Sequence, residues 1–149
     1  FIDIGVGDAV EPVLLNWPSF SYKEMPLFGD FISLNVYPVE TIFAEKLETI
    51  ISRGAANSRM KDYHDLLLLC REDGLLDRAR LKDTIDQTFH NRGTVFSIPV
   101  QFESDELERM QLLWAGHLRA LGTPRTQLLS LPEEIDTVIK DLNQWLLTI

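Results

Sequence analysis

A lysine stands where a helix should be apolar. In residues 37 to 54, YPVETIFAEKLETIISRG, the positions Val39, Ile42, Phe43, Leu47, Ile50 and Ile51 recur at three- and four-residue spacings and mark one stripe of an α-helix. Lys46 falls inside that stripe, four residues after Ile42 and four before Ile50, so its Cβ points toward the same surface. Two outcomes are open. The butyl stem can pack on Ile42 and Ile50 while the ammonium snorkels to water. Alternatively, the cation is aimed into a cleft between this helix and the preceding strands, where a phosphate or a carboxylate compensates it. In the next helical segment, KDYHDL, Asp62 and Asp65 are three apart and share a flank beside Leu66 and Leu69. Asp62 in a first turn complements the helix dipole. Held beside Lys46, it would instead form a polar pair that fixes the ammonium or takes part in proton transfer. Arg53, Arg59 and Lys61 ring the loop between the two segments, a local cationic rim whose sign suits phosphates.

The elements that must position these groups change character at Pro38. Before it, FIDIGV alternates with Ile2 and Ile4 on one face and Asp3 on the other, Gly5 and Gly7 permit a turn before VLLNW, and FISLNVY is a second alternating run. Pro12, Pro18 and Pro26 interrupt the stretches between them. After it the pattern is helical. Pro38 and Gly54 bracket the first helix, and a second runs from near Arg59 to about Asp73, where Gly74 stops it. LLDRARLKDTIDQTF reads as a third, and TVFSIPV as an extended connector ending at Pro99. A fourth begins after Ser104, carries acids in its first turn and Arg119 in its last, and meets Gly122 and Pro124 beyond its end. The fifth runs from Pro132 with Ile135, Val138, Ile139, Leu142 and Trp145 on one face. Ser58 and Ser104 read as helix caps, and Trp114 and Trp145 as core. The expected architecture is α+β: strands over residues 1 to 37, then a bundle of about five helices over residues 38 to 149.

Composition narrows the function classes. With 45% hydrophobic and 25% charged residues in 149, the chain reads as one globular unit with a sizeable core. No apolar run approaches the roughly 20 residues that cross a bilayer. A net charge of -9 argues against a protein that coats nucleic acid through a general positive field. The single cysteine, Cys70, lies in LLLLC and reads as core rather than nucleophile; with no internal disulfide, a reducing cytoplasm is the default location. The opening FIDIGVGD has no initiating methionine and reads as a fragment that begins in mid-strand.

Two motifs in order carry a resemblance. The run E-x-x-x-A-E-K-L-E-x-x-x-x-R from Glu40 to Arg53, followed by K-D-Y-H-D-L from Lys61 to Leu66, resembles the nucleotidyltransferase family of AbiEii/AbiGii type toxins. DIGVGD at the start is similar to the strand and turn that precede this region in that family. The match covers roughly residues 1 to 70, and the later helices fit the family's helical C-terminal half in general character. The resemblance implies a nucleotidyltransferase-like sheet, a divalent metal such as Mg2+, and a nucleoside triphosphate substrate. It also implies a toxin of a bacterial toxin-antitoxin or phage-abortive system with a cognate antitoxin, and some members of the family are similar to enzymes that add nucleotides to tRNA. Carried over residue by residue, Lys46 matches the active-site lysine and Asp62 the active-site aspartate. Asp65 and Arg53 match supporting positions, and Asp3 the strand carboxylate at the metal. One departure stands out. The family's Gly-Ser turn followed by a D-x-D pair does not occur in these residues; it is expected upstream of Phe1, and the fragment alone is expected to transfer nothing.

Other chemistries lack their partners. His64-Asp65 is similar to the HD pair of metal phosphohydrolases, but His90 and His117 sit in no supporting motif. No paired-histidine helix, CxxC pair or glycine-rich phosphate loop occurs. The competing class is a non-enzymatic helical module that binds an antitoxin or self-associates. Lys46 separates the two: an ammonium in bulk water far from Asp62 favours the module, and convergence of Lys46 and Asp62 beside Asp3 in one concave site favours the transferase.

Overall fold

A computed structural model describes residues 12–27 and 29–149. The first expected strand, with Asp3, lies outside the described residues. All described strands precede all described helices, and the arrangement is α+β.

The VLLNW and FISLNV runs become β1 (Val13–Pro18) and β4 (Phe31–Val36), an antiparallel pair, with the short β2 (Ser21–Tyr22) and β3 (Met25–Pro26) pairing in the connection between them. The register sets Val13 opposite Val36, Leu15 opposite Leu34 and Trp17 opposite Ile32. Because strand side chains alternate, these six apolar residues share one face. The other face carries Asn16 and Ser33, whose Oγ donates to Asn16 Oδ1 at 2.7 Å. Among the described residues no helix packs against a strand.

The helices are α1 (Val39–Arg53), α2 (Met60–Arg71), α3 (Arg78–Arg92), α4 (Ser104–Leu121), α5 (Thr123–Leu128) and α6 (Ile135–Leu146). Pro38 caps the start of α1 and Gly54, at φ 52°, its end, as the sequence suggested. The core is built from Phe43, Leu47 and Ile50 of α1, Tyr63, Leu66 and Leu67 of α2, Leu81, Ile85 and Phe89 of α3, Met110 and Trp114 of α4, and Val138 and Leu142 of α6. Trp114 is fully buried and donates Nε1–H to Pro132 O at 3.0 Å. Trp145 is partly buried, with its ring centroid 5.2 Å from that of Phe43. Cys70 packs against the core, and burial pushes its thiol up to about 12, which makes it inert at neutral pH.

Several expectations need correction. The fully buried face of α1 runs through Glu40, Phe43, Ala44, Leu47, Glu48 and Ile50, so Val39 and Ile42 sit half-buried at its edge. Two glutamates are buried because α3 supplies their partners. Glu40 Oε1 accepts the Asp77 N–H at 3.1 Å, and Glu48 accepts from Arg92 Nη1 at 2.9 Å and from the Thr94 hydroxyl. Burial alone would favour the neutral form of Glu48, but the hydrogen bonds from Thr94, Arg92 and Ser52 outweigh it and hold the carboxyl below its ordinary range. The N-caps of α2 and α4 are Arg59 and Glu103, not Ser58 and Ser104. Glu106 accepts the Glu103 N–H at 2.9 Å, and Asn57 Oδ1 accepts that of Arg59 at 3.0 Å, so carboxylate and amide oxygens replace the hydroxyls at these ends. The fifth helix starts at Ile135 rather than Pro132, and α5 was not expected.

Candidate functional site

Lys46 lies at the edge of the buried face of α1, and the chain must fold back for anything on α2 to reach it. A 3-10 turn over Gly54–Ala56 and the fully buried Asn57 make that reversal. The first turn of α2 then meets the middle of α1. Lys46 Nζ lies 3.1 Å from Asp62 Oδ1 and 2.7 Å from Asp65 Oδ2. Asp62 has 2% of its side-chain surface exposed, Lys46 18% and Asp65 22%. The ammonium therefore does not snorkel into bulk water; it bridges two carboxylates one helical turn apart.

Each acid has a second cation. Arg59 Nε stands 3.1 Å from Asp62 Oδ2, and Lys61 Nζ is 2.9 Å from Asp65 Oδ2. The Arg59 contact is an ion pair without hydrogen-bond alignment, so the buried Oδ2 of Asp62 makes no hydrogen bond. Three cations thus face two carboxylates, and the cluster carries an excess positive charge on a chain of net charge -9. Arg53, at the end of α1, is exposed, and no hydrogen bond or ion pair joins it to the cluster among the described residues.

Electrostatics keep Lys46 and Asp65 charged. Burial alone would lower the Lys46 pKa, but hydrogen bonds and charge from Asp65 and Asp62 raise it above the ordinary lysine value. For Asp65 burial works upward, and the hydrogen bonds and charges of Lys46 and Lys61 hold the carboxyl below the usual range. With three donors on its ammonium, Lys46 retains one beyond its two carboxylate contacts. It opens onto a groove of about 310 Å³ lined by Ile42, Lys46, Asp65, Leu68, Leu69, Glu72 and Leu75. Among the described residues that groove is walled by helices and the turn after α2, and none of its lining comes from the strands that the sequence led one to expect there. Asp62 is not in its lining; it sits behind Lys46.

The same two acids are a poor metal site. Asp62 and Asp65 already answer three cations, and among the described residues no group of three or more His, Cys, Asp and Glu is arranged to hold a metal ion. Residue spacing carries no sign of another contact: His117 of α4 reaches across to His64 of α2, with Nε2 3.1 Å from His64 Nδ1.

The family model described as nucleotidyl transferase AbiEii toxin, type IV TA system, matches residues 1–141. The chain belongs to the AbiEii family. No curated protein and no solved structure matches it. The AbiEii match extends well past the two motifs that resemble it, through α4 and α5 and into α6, so the helical half is part of what the family shares. As a nucleotidyl transferase toxin of type IV systems, an AbiEii member has an antitoxin as its counterpart. Among the described residues no helix is long and apolar enough to cross a membrane.

Proposed function

We propose that the protein transfers a nucleotidyl group from a nucleoside triphosphate to an acceptor, with tRNA as the acceptor class, and that Lys46 is the group that meets the triphosphate. The observation that supports this reading is the bridging geometry of Lys46: a mostly buried ammonium held 3.1 Å from Asp62 and 2.7 Å from Asp65, in a cluster with one cation in excess. Charge fixed in advance and partly shielded from water stabilises developing negative charge without reorganising as the reaction proceeds. Lys46 would bind the triphosphate oxygens through its remaining donor, and Arg53 would support them from the rim. Asp62 would act through Lys46. At 2% exposure it has no reach to an acceptor hydroxyl, which a general base must have, so orienting the ammonium is the role its position supports. Asp65 holds the same ammonium from the groove side.

Mg2+, expected with the triphosphate, would neutralise charge on the phosphates. The described residues offer it no carboxylate set, Asp3 lies outside them, and the roles given to Lys46, Asp62 and Asp65 do not run through it. The D-x-D pair belongs in this reading to sequence upstream of residue 1, and the action is that of a cytoplasmic toxin in a toxin-antitoxin or abortive-infection system. A purely antitoxin-binding module would require no lysine locked between two acids.

The test is to incubate the protein as the cell makes it with each of the four α-32P-labelled triphosphates and total tRNA. Label is expected on tRNA from at least one triphosphate, and Asp62→Asn should slow transfer about 10²-fold through misplacement of Lys46. No label from any triphosphate, or an unchanged rate in Asp62→Asn, would contradict the proposal.

A further inference from the structure

His64 and His117 belong to no part of that reading, yet they make the one ring-to-ring nitrogen contact between helices among the described residues. His64 is 6% exposed and its Nε2 is buried without a hydrogen bond, whereas His117 is half-buried. Their ring centroids are 5.2 Å apart at 64°, so Nδ1 of one faces Nε2 of the other at 3.1 Å. Such a contact holds a single proton, with one ring donating and the other accepting. A second proton sets two N–H groups of like charge against each other.

The surroundings decide how readily that proton arrives. On α2, Asp65 favours protonation of both rings and Lys61 opposes it; Arg125 of α5 opposes it at His64. From α4 the neighbour is Trp114, stacked on His117 at 5.3 Å and 30°. Burial, and for His64 the charge of His117, hold both imidazoles below the ordinary histidine value. The two titrate as a pair rather than as individuals.

Helix α4 carries more than His117. Gln111 Oε1 accepts the Ile135 N–H at 2.9 Å, Gln111 Nε2 donates to Glu133 O at 3.0 Å, and Trp114 Nε1 donates to Pro132 O. These three bonds tie the start of α6 to α4.

We infer that the His64–His117 contact is an acid-released latch between α2 and α4, closed while the rings share one proton and opened when both are charged. The sign follows from linkage. An unfolded histidine titrates at about 6.5, the latched pair lower, so the unfolded chain binds more protons below that pH and stability falls as acid is added.

The experiment uses the full chain with ¹⁵N-labelled histidine rings, followed by NMR from pH 8 to 5, beside urea unfolding at pH 7.5 and 5.5. His64 and His117 are expected to titrate together with midpoints below 6.5, and the urea midpoint to fall with pH in the wild type but much less in His117→Gln. Two independent titrations at the ordinary value would overturn the latch, and so would equal pH dependence in the two proteins. Because the ring titration is read on the wild type, a poorly folding His117→Gln leaves the test intact.

Discussion

Lys46→Met is expected to lower nucleotide transfer by about 10² to 10³-fold, the range found when one fixed donor to a developing negative charge is removed, and to abolish toxicity with it. Methionine preserves the length of the apolar stem on Ile42 while deleting the ammonium. Folding will feel the change as well. Asp62, at 2% exposure, loses its one aligned hydrogen-bond donor and keeps only the Arg59 contact, a cost of about 1 to 3 kcal/mol. The loss of rate must therefore be read on protein shown to be folded, as kcat per molecule. Lys46→Arg is a sharper control than it looks. A planar guanidinium cannot reproduce a point charge seated 3.1 Å and 2.7 Å from two separate carboxylates, so little activity should return despite the conserved charge. Transfer within threefold of wild type in folded Lys46→Met protein would remove Lys46 from the chemistry.

The largest effect on stability is expected at Trp114. It is fully buried among α4, α6 and the chain before α6, and its Nε1–H is bonded to Pro132 O. Trp114→Ala should cost about 3 to 5 kcal/mol by leaving a cavity that rigid helices cannot close, against a total that for a domain of this size is about 5 to 15 kcal/mol. Leu112, two residues away and 74% exposed, provides the comparison. Leu112→Ala should stay within about 0.5 kcal/mol. Urea midpoints measure both, and a Trp114→Ala loss under 1 kcal/mol would mean that α4 does not organise the bundle as described.

Much of this was legible in the sequence wherever local signals suffice. Pro38 and Gly54 delimit α1 because one presets the first φ and the other tolerates a positive one. The stripe of α6 shows because its apolar spacing is unbroken from Ile135 to Leu142. The same rules were right at Gly122, which caps the end of α4, but fell short at Pro124: it read as part of the stop, yet proline is equally suited to a first turn, and Pro124 occupies that place in α5. The buried glutamates were illegible for a different reason: Glu40 and Glu48 are tolerated inside only because Asp77, Arg92 and Thr94 arrive at the two ends of α3, more than thirty residues later. The site divides along the same line. A shared polar face for Lys46 and the two acids follows from spacing once α2 folds back on α1, and the two distances at Lys46 accord with it. That Asp62 lies behind the lysine, that the groove is walled by helices, and that His117 crosses from α4 to His64 are products of packing, for which spacing carries no signal.

The most direct test watches the ammonium itself. In the natural protein with ¹⁵N-labelled lysine, the Lys46 Nζ signal is identified by its loss in Lys46→Met; a cation shielded by two carboxylates exchanges its protons slowly enough to be seen. The predicted result is a saturable shift of that one signal as triphosphate is added, with the same midpoint as binding measured by calorimetry. A triphosphate that binds while the Lys46 signal stays in place would contradict the assignment of this lysine to the substrate.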